Sequence, residues 1–309
     1  PPAYALSGCL GVLRVLIRCG GLGAAGWSEV DACVVAYPWD LVRWNGKEIA
    51  NDFARLGDSG PKHRTPPAPG VFLVNPEAVR LAKGVALAPG VVIDATEGPV
   101  NLESDVVVMA NASLRGPLHV GAGSVIKMGA TVYGGTTIGP VSRIGGEVAE
   151  SIFQGYSNKQ HGGFVGHSYV GEWVNLGAGT NTSDLKNNYS AVKVLIEGRP
   201  VDSGENFAGL YMGDHSKSGI GTIFNTGTVV GAWCNIYGAG YPPKYVPSFT
   251  WGGDSRFAEH RLEAALETAR RAMARRGRVL DADDEAILRE AEKLTRAERA
   301  SFLAGQEGL

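Results

Sequence analysis

The chain is predicted to form a three-faced parallel β-prism, preceded by a short N-terminal segment and followed by a helical tail. Three observations predict it. Aliphatic residues recur at every sixth place through the middle of the chain. Glycine supplies 44 of 309 residues, about twice its usual share, without a collagen triplet. From Asp254 onward the composition turns charged and the apolar spacing becomes helical.

The sixes run Leu102, Val108, Leu114, Val120, Ile126, Val132, Ile138 and Ile144 without a miss. Two places before each sits a small, β-branched or aliphatic residue: Val100, Val106, Ala112, Leu118, Ser124, Ala130, Thr136 and Ser142. A period of six suits neither a 3.6-residue helix nor a lone two-periodic strand. It suits a coil with three flat sides, each a short strand with one aliphatic aimed at the axis, and glycines at the corners. Stacked coils pair at strand spacing, so each hides its neighbour's sheet edge. The phase slips after Ile144 and is expected to resume at Phe164, Val170 and Leu176, then at Met212, Ser218, Phe224, Val230 and Ile236. Residues 181–209 read as an excursion out of the prism.

Three regions follow: 1–70, 71–253 and 254–309. In the first, Tyr37–Asn45 reads as a turn entering a short helix through Phe53, and 57–70 as a Pro/Gly-rich linker. In the last, Leu262, Leu266, Ala269 and Met273 form one apolar stripe and Ile287, Leu288, Ala291 and Leu294 another. Asp281 is an expected N-cap, and Thr295–Glu298 has capping-box spacing. Arginines 270, 271, 275, 276 and 278 are expected on a solvated helix face rather than at a phosphate.

Twenty-nine basic against 31 acidic side chains leave no electrostatic footprint for nucleic acid and no polybasic membrane anchor. Cys9, Cys19, Cys33 and Cys234 show no CxxC pairing, so reduced thiols and a cytoplasmic setting are expected. The apolar run 10–17 is short for a bilayer and holds Arg14. Leu6–Cys9 matches a lipoprotein cleavage box, a match read as chance.

The hexads resemble those of the hexapeptide acyltransferases, which implies a left-handed parallel β-helix working as a homotrimer. His161-Gly-Gly-Phe164, Gly171-Glu-Trp-Val-Asn175 and Leu176-Gly-Ala-Gly-Thr180 are similar to the acetyltransferase half of the bifunctional enzymes of UDP-N-acetylglucosamine synthesis. Gly145–Val148, Phe153–Lys159, Gly213–Lys217 and Phe224–Val229 resemble the alternative bacterial sugar nucleotidyltransferase/acetyltransferase form. Tyr37–Val42 resembles the connector after that form's nucleotidyltransferase domain, whose glycine-rich signature is missing here. The resemblance therefore implies acetyl transfer from acetyl-CoA to a small amino-sugar phosphate such as glucosamine-1-phosphate, without a metal, and makes nucleotidyl transfer by this chain unexpected.

Such chemistry needs a base for the attacking amine, donors for the oxyanion and cations for phosphate. An imidazole suits the base at neutral pH, and His161 stands where the six-residue rhythm breaks. Its plain alternative is a loop histidine bonded only to backbone. By the resemblance, Phe164 lines the sugar pocket where relatives carry tyrosine, and Asn175 bonds the sugar. Ala178 and Gly179 face the pantetheine arm, and Asn188, Tyr189 and Lys193 lie by the amine, coenzyme and phosphate. Lys127 and Lys159 are phosphate candidates whose alternative is surface solubility. Asn175 has a polar ladder as its alternative, and Ala178 and Gly179 ordinary corner geometry. Two other readings stay open: a non-catalytic trimeric scaffold, and a carbonic-anhydrase-like zinc site at His161, His167 and His215.

Overall fold

The computed structural model describes residues 12–16, 27–31, 34–56, 69–196, 198–238, 240–253 and 256–305. Cys9, Cys19, Cys33 and Leu6–Cys9, and nearly all of the linker, lie outside the described residues. Val12–Leu16 and Trp27–Asp31 pair antiparallel.

Three stacked parallel ladders form the prism. Face I runs through nine strands, from Val79–Leu81 to Tyr245–Val246. Face II runs from Ala86–Leu87 to Asn158–Lys159, crosses a bridge at Asn175, and continues from Lys217–Ser218 to Thr250–Gly253. Face III runs from Phe72–Val74 to Phe164–Gly166, and Asn181–Thr182 pairs with Ile223–Phe224 above it. The eight predicted aliphatics from Leu102 to Ile144 are all buried, and so are the eight residues two places before them. The predicted parallel β-helix with an N-terminal segment and a helical tail is the observed architecture.

Two short corners cause the phase slip. Leu118 pairs with Thr136, 18 residues on, but Thr137 pairs with Ile152, 15 on, and Val148 with Val165, 17 on. The inward residues after Ile144 are therefore Val148, Phe153, Lys159, Val165 and Val170. Phe164 was expected to point inward; it lies half-buried, and its neighbour Val165 is the core residue. The later register at Met212, Ser218, Phe224, Val230 and Ile236 is buried as expected. Asn181–Thr182 stays in the coil, so the excursion begins at 183; its hairpin pairs Lys193–Ile196 with Arg199–Asp202.

Helix α1 (Pro38–Leu56) includes Tyr37–Asn45 apart from Tyr37, where a turn was expected. Pro38 suits the first helical position, and the Asp40 carboxylate accepts from the N–H groups of Ala36 and Tyr37. The helix lies against face I. Asn45 Nδ2 donates to Gly135 O at 2.7 Å, and Thr137 donates to Asn45 Oδ1 at 2.8 Å. Gly46 lies at this contact, where a Cβ would sit 3.4 Å from the Gly135 α-carbon, at van der Waals distance. Trp39 and Val42 pack with Val192 and Val194 of the excursion and with Tyr211 of face I.

The tail holds α2 (Leu262–Ala274) and α3 (Ala282–Ala304). Leu266, Ala269 and Met273 are buried, and Asp281 caps α3 by accepting from Asp284 N at 2.8 Å. The second stripe is only half right: Leu288 and Ala291 pack, whereas Ile287 and Leu294 are 67% and 75% exposed. Thr295–Glu298 is not a cap. It lies inside α3, where Thr295 Oγ1 donates to Ala291 O. Arg270 and Arg271 pair with glutamates on the surface, but Arg276 reaches Asn158 Oδ1 and Arg278 reaches the Tyr156 hydroxyl.

Candidate functional site

The edge joining face II to face III carries four of the predicted residues, Lys127, His161, Ala178 and Gly179. Its corners stack in a column: 127–130, 145–146, 160–163, 177–180 and 219–222. Lys127 is half-buried on the first, His161 exposed on the third, and Ala178 and Gly179 stand directly above it. Gly179 N donates to Gly162 O at 3.0 Å, and Glu147 N to Gly163 O at 3.1 Å, so backbone bonds reach the histidine loop from above and below. Gly163 has φ 115°, and a Cβ on it would meet Thr180 O at 2.1 Å. This glycine serves close backbone approach, whereas Gly162 faces open space.

Lys159 is not a surface cation. It occupies an inward position level with Ile144 and is 1% exposed. Its Nζ donates to Gly145 O at 2.9 Å and His161 O at 3.1 Å. Burial lowers it to about 8, against a smaller upward pull from Glu147. The ammonium thus ties the histidine loop to the coil below and does not present itself to phosphate. The expected backbone role of Gly179 also changes, because its N–H is already committed to Gly162 O. Ala178 O is taken by Gly221 N, while no backbone partner for Ala178 N occurs among the described residues.

Beside this edge the face III ladder opens. Phe164 N donates to the Asn181 side-chain oxygen at 2.9 Å, and Gly166 N to Thr182 Oγ1 at 3.2 Å, in place of main-chain carbonyls. The Phe164 ring crosses the bare α-carbon of Gly166, where a Cβ would lie 2.4 Å from Phe164 Cζ and 2.3 Å from Asp184 Oδ2. Asn175 is half-buried in face II, bridging Asn158 and Lys217.

At the far end of face III stands a group whose joint arrangement sequence reasoning missed. His167 Nδ1 lies 2.8 Å from Asp184 Oδ2, and Nε2 lies 3.4 Å from Glu150 Oε2. Burial opposes the ring's charge, yet bonds to Asp184 and then Glu150 lift it to about 9. Phe207 of the excursion stacks on the ring at 4.8 Å. The signal was the coil length: the 17-residue step that pairs Val148 with Val165 also carries His167 to Asp184.

Asn188, Tyr189 and Lys193 are exposed on the excursion, which packs with α1 on face I, opposite the His161 edge. One chain does not bring them to His161. The three histidines of the zinc reading lie on three different edges of the prism, so a single chain cannot converge them on one ion. His161 sits at II–III, His167 at III–I and His215 at I–II.

No family model matches the chain. Curated relatives do. A bifunctional sugar-1-phosphate nucleotidylyltransferase/acetyltransferase of Sulfurisphaera tokodaii is 36% identical over 91 residues, 29% of this chain and 23% of that protein. The bifunctional protein GlmU of Methanocaldococcus jannaschii is 38% identical over 90 residues, 29% and 22% of the two chains. GlmU of Azorhizobium caulinodans is 36% identical over 132 residues, 40% and 28%. Among solved structures, a UDP-N-acetylglucosamine acyltransferase of Arabidopsis covers 66% of this chain and 77% of its own at 15% identity and TM-score 0.31. One from Campylobacter jejuni covers 76% and 83% at 16% identity and TM-score 0.30. At those scores the structural likeness adds nothing to the fold read directly from the ladders. By sequence, this chain is similar to the bifunctional sugar-1-phosphate nucleotidylyltransferase/acetyltransferases, and it spans between 22% and 28% of the length of these three relatives.

Proposed function

We propose that the chain transfers the acetyl group of acetyl-CoA to the amine of an amino-sugar phosphate, glucosamine-1-phosphate being the first acceptor to test. One observation carries the reading: the exposed His161 loop lies where the face III ladder opens, between an edge lined by Ala178 and a face walled by Phe164. The name of the Sulfurisphaera tokodaii relative, which includes acetyltransferase, supports it.

In this reading the neutral amine nitrogen bonds the thioester carbon as the carbon–sulfur bond breaks, and His161 accepts the proton that the nitrogen sheds and passes it to the departing sulfur. The Ala178 N–H, without a backbone partner among the described residues, donates to the developing oxyanion in the same reading. Coenzyme A leaves as its thiol. Lys127, two corners below on the same edge, is the remaining candidate for the sugar phosphate. Asn188, Tyr189 and Lys193 join such a site only from a neighbouring copy, consistent with a homotrimer whose sites lie between subunits.

The test is thiol release from acetyl-CoA with glucosamine-1-phosphate, wild type against His161→Ala. Loss of at least a hundredfold in kcat is expected. Equal rates remove His161 from the mechanism, and no wild-type rate with any amino-sugar phosphate favours a scaffold.

A further inference from the structure

The outward side of face II carries a row of polar side chains with cationic charge to spare. Successive rungs set Arg143 beside Asn158, Asn158 beside Asn175, Asn175 beside Lys217, Lys217 beside Asn235 and Asn235 beside Trp251. The next residues along, Ile144, Lys159, Leu176, Ser218 and Ile236, are buried in the prism, so alternation puts the row on the outer surface. Strand spacing makes Arg143 to Lys217 about 14 Å and Lys217 to Trp251 about 10 Å. The row runs one corner away from His161. Arg276, in the turn after α2, reaches over it to Asn158 Oδ1 at 2.8 Å.

Three cations meet here without a counter-charge. Arg143 is half-buried, forms no hydrogen bond or ion pair among the described residues, and keeps Nη1 buried without a partner. Lys217 Nζ donates to His215 O at 2.8 Å, and burial, with no carboxylate opposing it, pushes this ammonium down to about 8. Arg276 bonds Asn158 and pairs with no acid among the described residues. No Asp or Glu stands in the row, and Glu172 and Asp214 at the neighbouring corners pair with none of the three. The Asn175 and Asn235 side-chain amides also have no partner among the described residues, so their N–H donors are free. Half-buried cations and amides left unmet by protein are costly until an anion supplies acceptors. At the upper end Trp251 meets His260 edge-on at 4.9 Å and stays 40% exposed.

We propose that this row binds the diphosphate and base of a nucleotide. Arg143, Arg276 and Lys217 hold the phosphate oxygens, the Asn175 amide adds a donor between them, and the base stacks on Trp251. Donors spread along the row suit two phosphates in line better than one, and the exposed ring lies where a base beyond them would fall. A nucleotide-linked sugar and coenzyme A share this chemistry.

Titration calorimetry of the full chain in buffer of physiological salt, with UDP in one arm and coenzyme A in the other, tests the site. One saturable site per chain is expected in at least one arm. Affinity should fall at least tenfold in Arg143→Gln and in Lys217→Gln, and Trp251→Ala should bring the nucleotide down toward the affinity of inorganic diphosphate. Arg271→Gln, which removes an exposed cation paired with Glu267, should bind as wild type. On the wild type itself, raising the salt tenfold should weaken binding at least tenfold, a readout that no variant's folding can disturb. Binding of UDP assigns the row to a nucleotide-linked sugar and binding of coenzyme A alone to the coenzyme; either upholds the site. No saturable binding in either arm, salt-independent affinity, affinity unchanged in the Arg143 and Lys217 variants, or inorganic phosphate binding as tightly as the nucleotide would overturn it. The readout is binding, so its failure leaves the acyl-transfer reading untouched.

Discussion

His167 and Asp184 are 17 residues apart in sequence and 2.8 Å apart in space, one coil directly above the other. Glu150, a coil below, approaches the other ring nitrogen at 3.4 Å. Three consecutive turns of the prism are thereby joined through one imidazolium. The ring is raised from 6.5 to about 9, so its stabilisation is fully present below about pH 6.5 and lost as the pH rises through 9. On the order of 2–3 kcal/mol is expected to disappear across that window. Urea melts of the wild type and Asp184→Asn at pH 6 and pH 9.5 check it: the opposing rise from Lys159 is common to both chains, so the loss is read as the difference between them.

Lys159 titrates with the opposite sign. A cationic group lowered to about 8 from 10.5 costs stability while it is charged, because the unfolded chain holds the proton more tightly. Its contribution should make stability rise between about pH 8 and 10.5. Lys159→Met removes that rise and, by freeing the His161 carbonyl, loosens the loop. The expected signature is a melting temperature near the wild type's at pH 7, together with a lower kcat for acyl transfer.

Gly163→Ala should be costly twice over. The residue sits at φ 115°, and the added methyl carbon would meet Thr180 O at 2.1 Å. A loss of roughly 2–4 kcal/mol is expected from strain and overlap together. Gly162→Ala, facing open space, should cost far less. Chemical denaturation of the pair distinguishes a backbone requirement at 163 from a general intolerance of the loop.

Arg299 and Glu292 form a buried pair on α3, with side chains 2% and 6% exposed, and Arg299 also reaches Glu259 at 2.8 Å. Removing Arg299 leaves the Glu292 carboxylate to Arg296 alone, at 2.7 Å. Arg299→Met should destabilise by about 1–3 kcal/mol, whereas Arg299→Met with Glu292→Leu should recover part of it. Thermal melts of both variants give the comparison.

The prism was legible because its rule is strict: one inward side chain per six residues leaves a trace that no solvent-facing residue can blur. His161, Ala178 and Gly179 fell on one edge for the same reason, being multiples of a coil apart. The rule failed where corners shortened, so Phe164 was expected in a place that Val165 takes, and Lys159 was read as exposed although it is interior. Asp184 and Glu150 carry no local pattern, and only counting coils would have set them beside His167. The tail misled for another reason. An apolar stripe does not say which of its residues find a partner, and α3 buries Glu292 and Arg299 while leaving Ile287 and Leu294 in solvent.

Helix α1 precedes the Pro/Gly-rich linker in sequence yet lies on the prism in space, with Trp39 4% exposed and Asn45 bonded to Gly135 and Thr137. A fragment trimmed at residue 70 would strip away this strap and lay bare Tyr211 and the apolar side of the excursion hairpin. Such a fragment should become sticky and prone to self-association even with its coils intact. A division that keeps this strap on the prism therefore falls before α1 and not at residue 70.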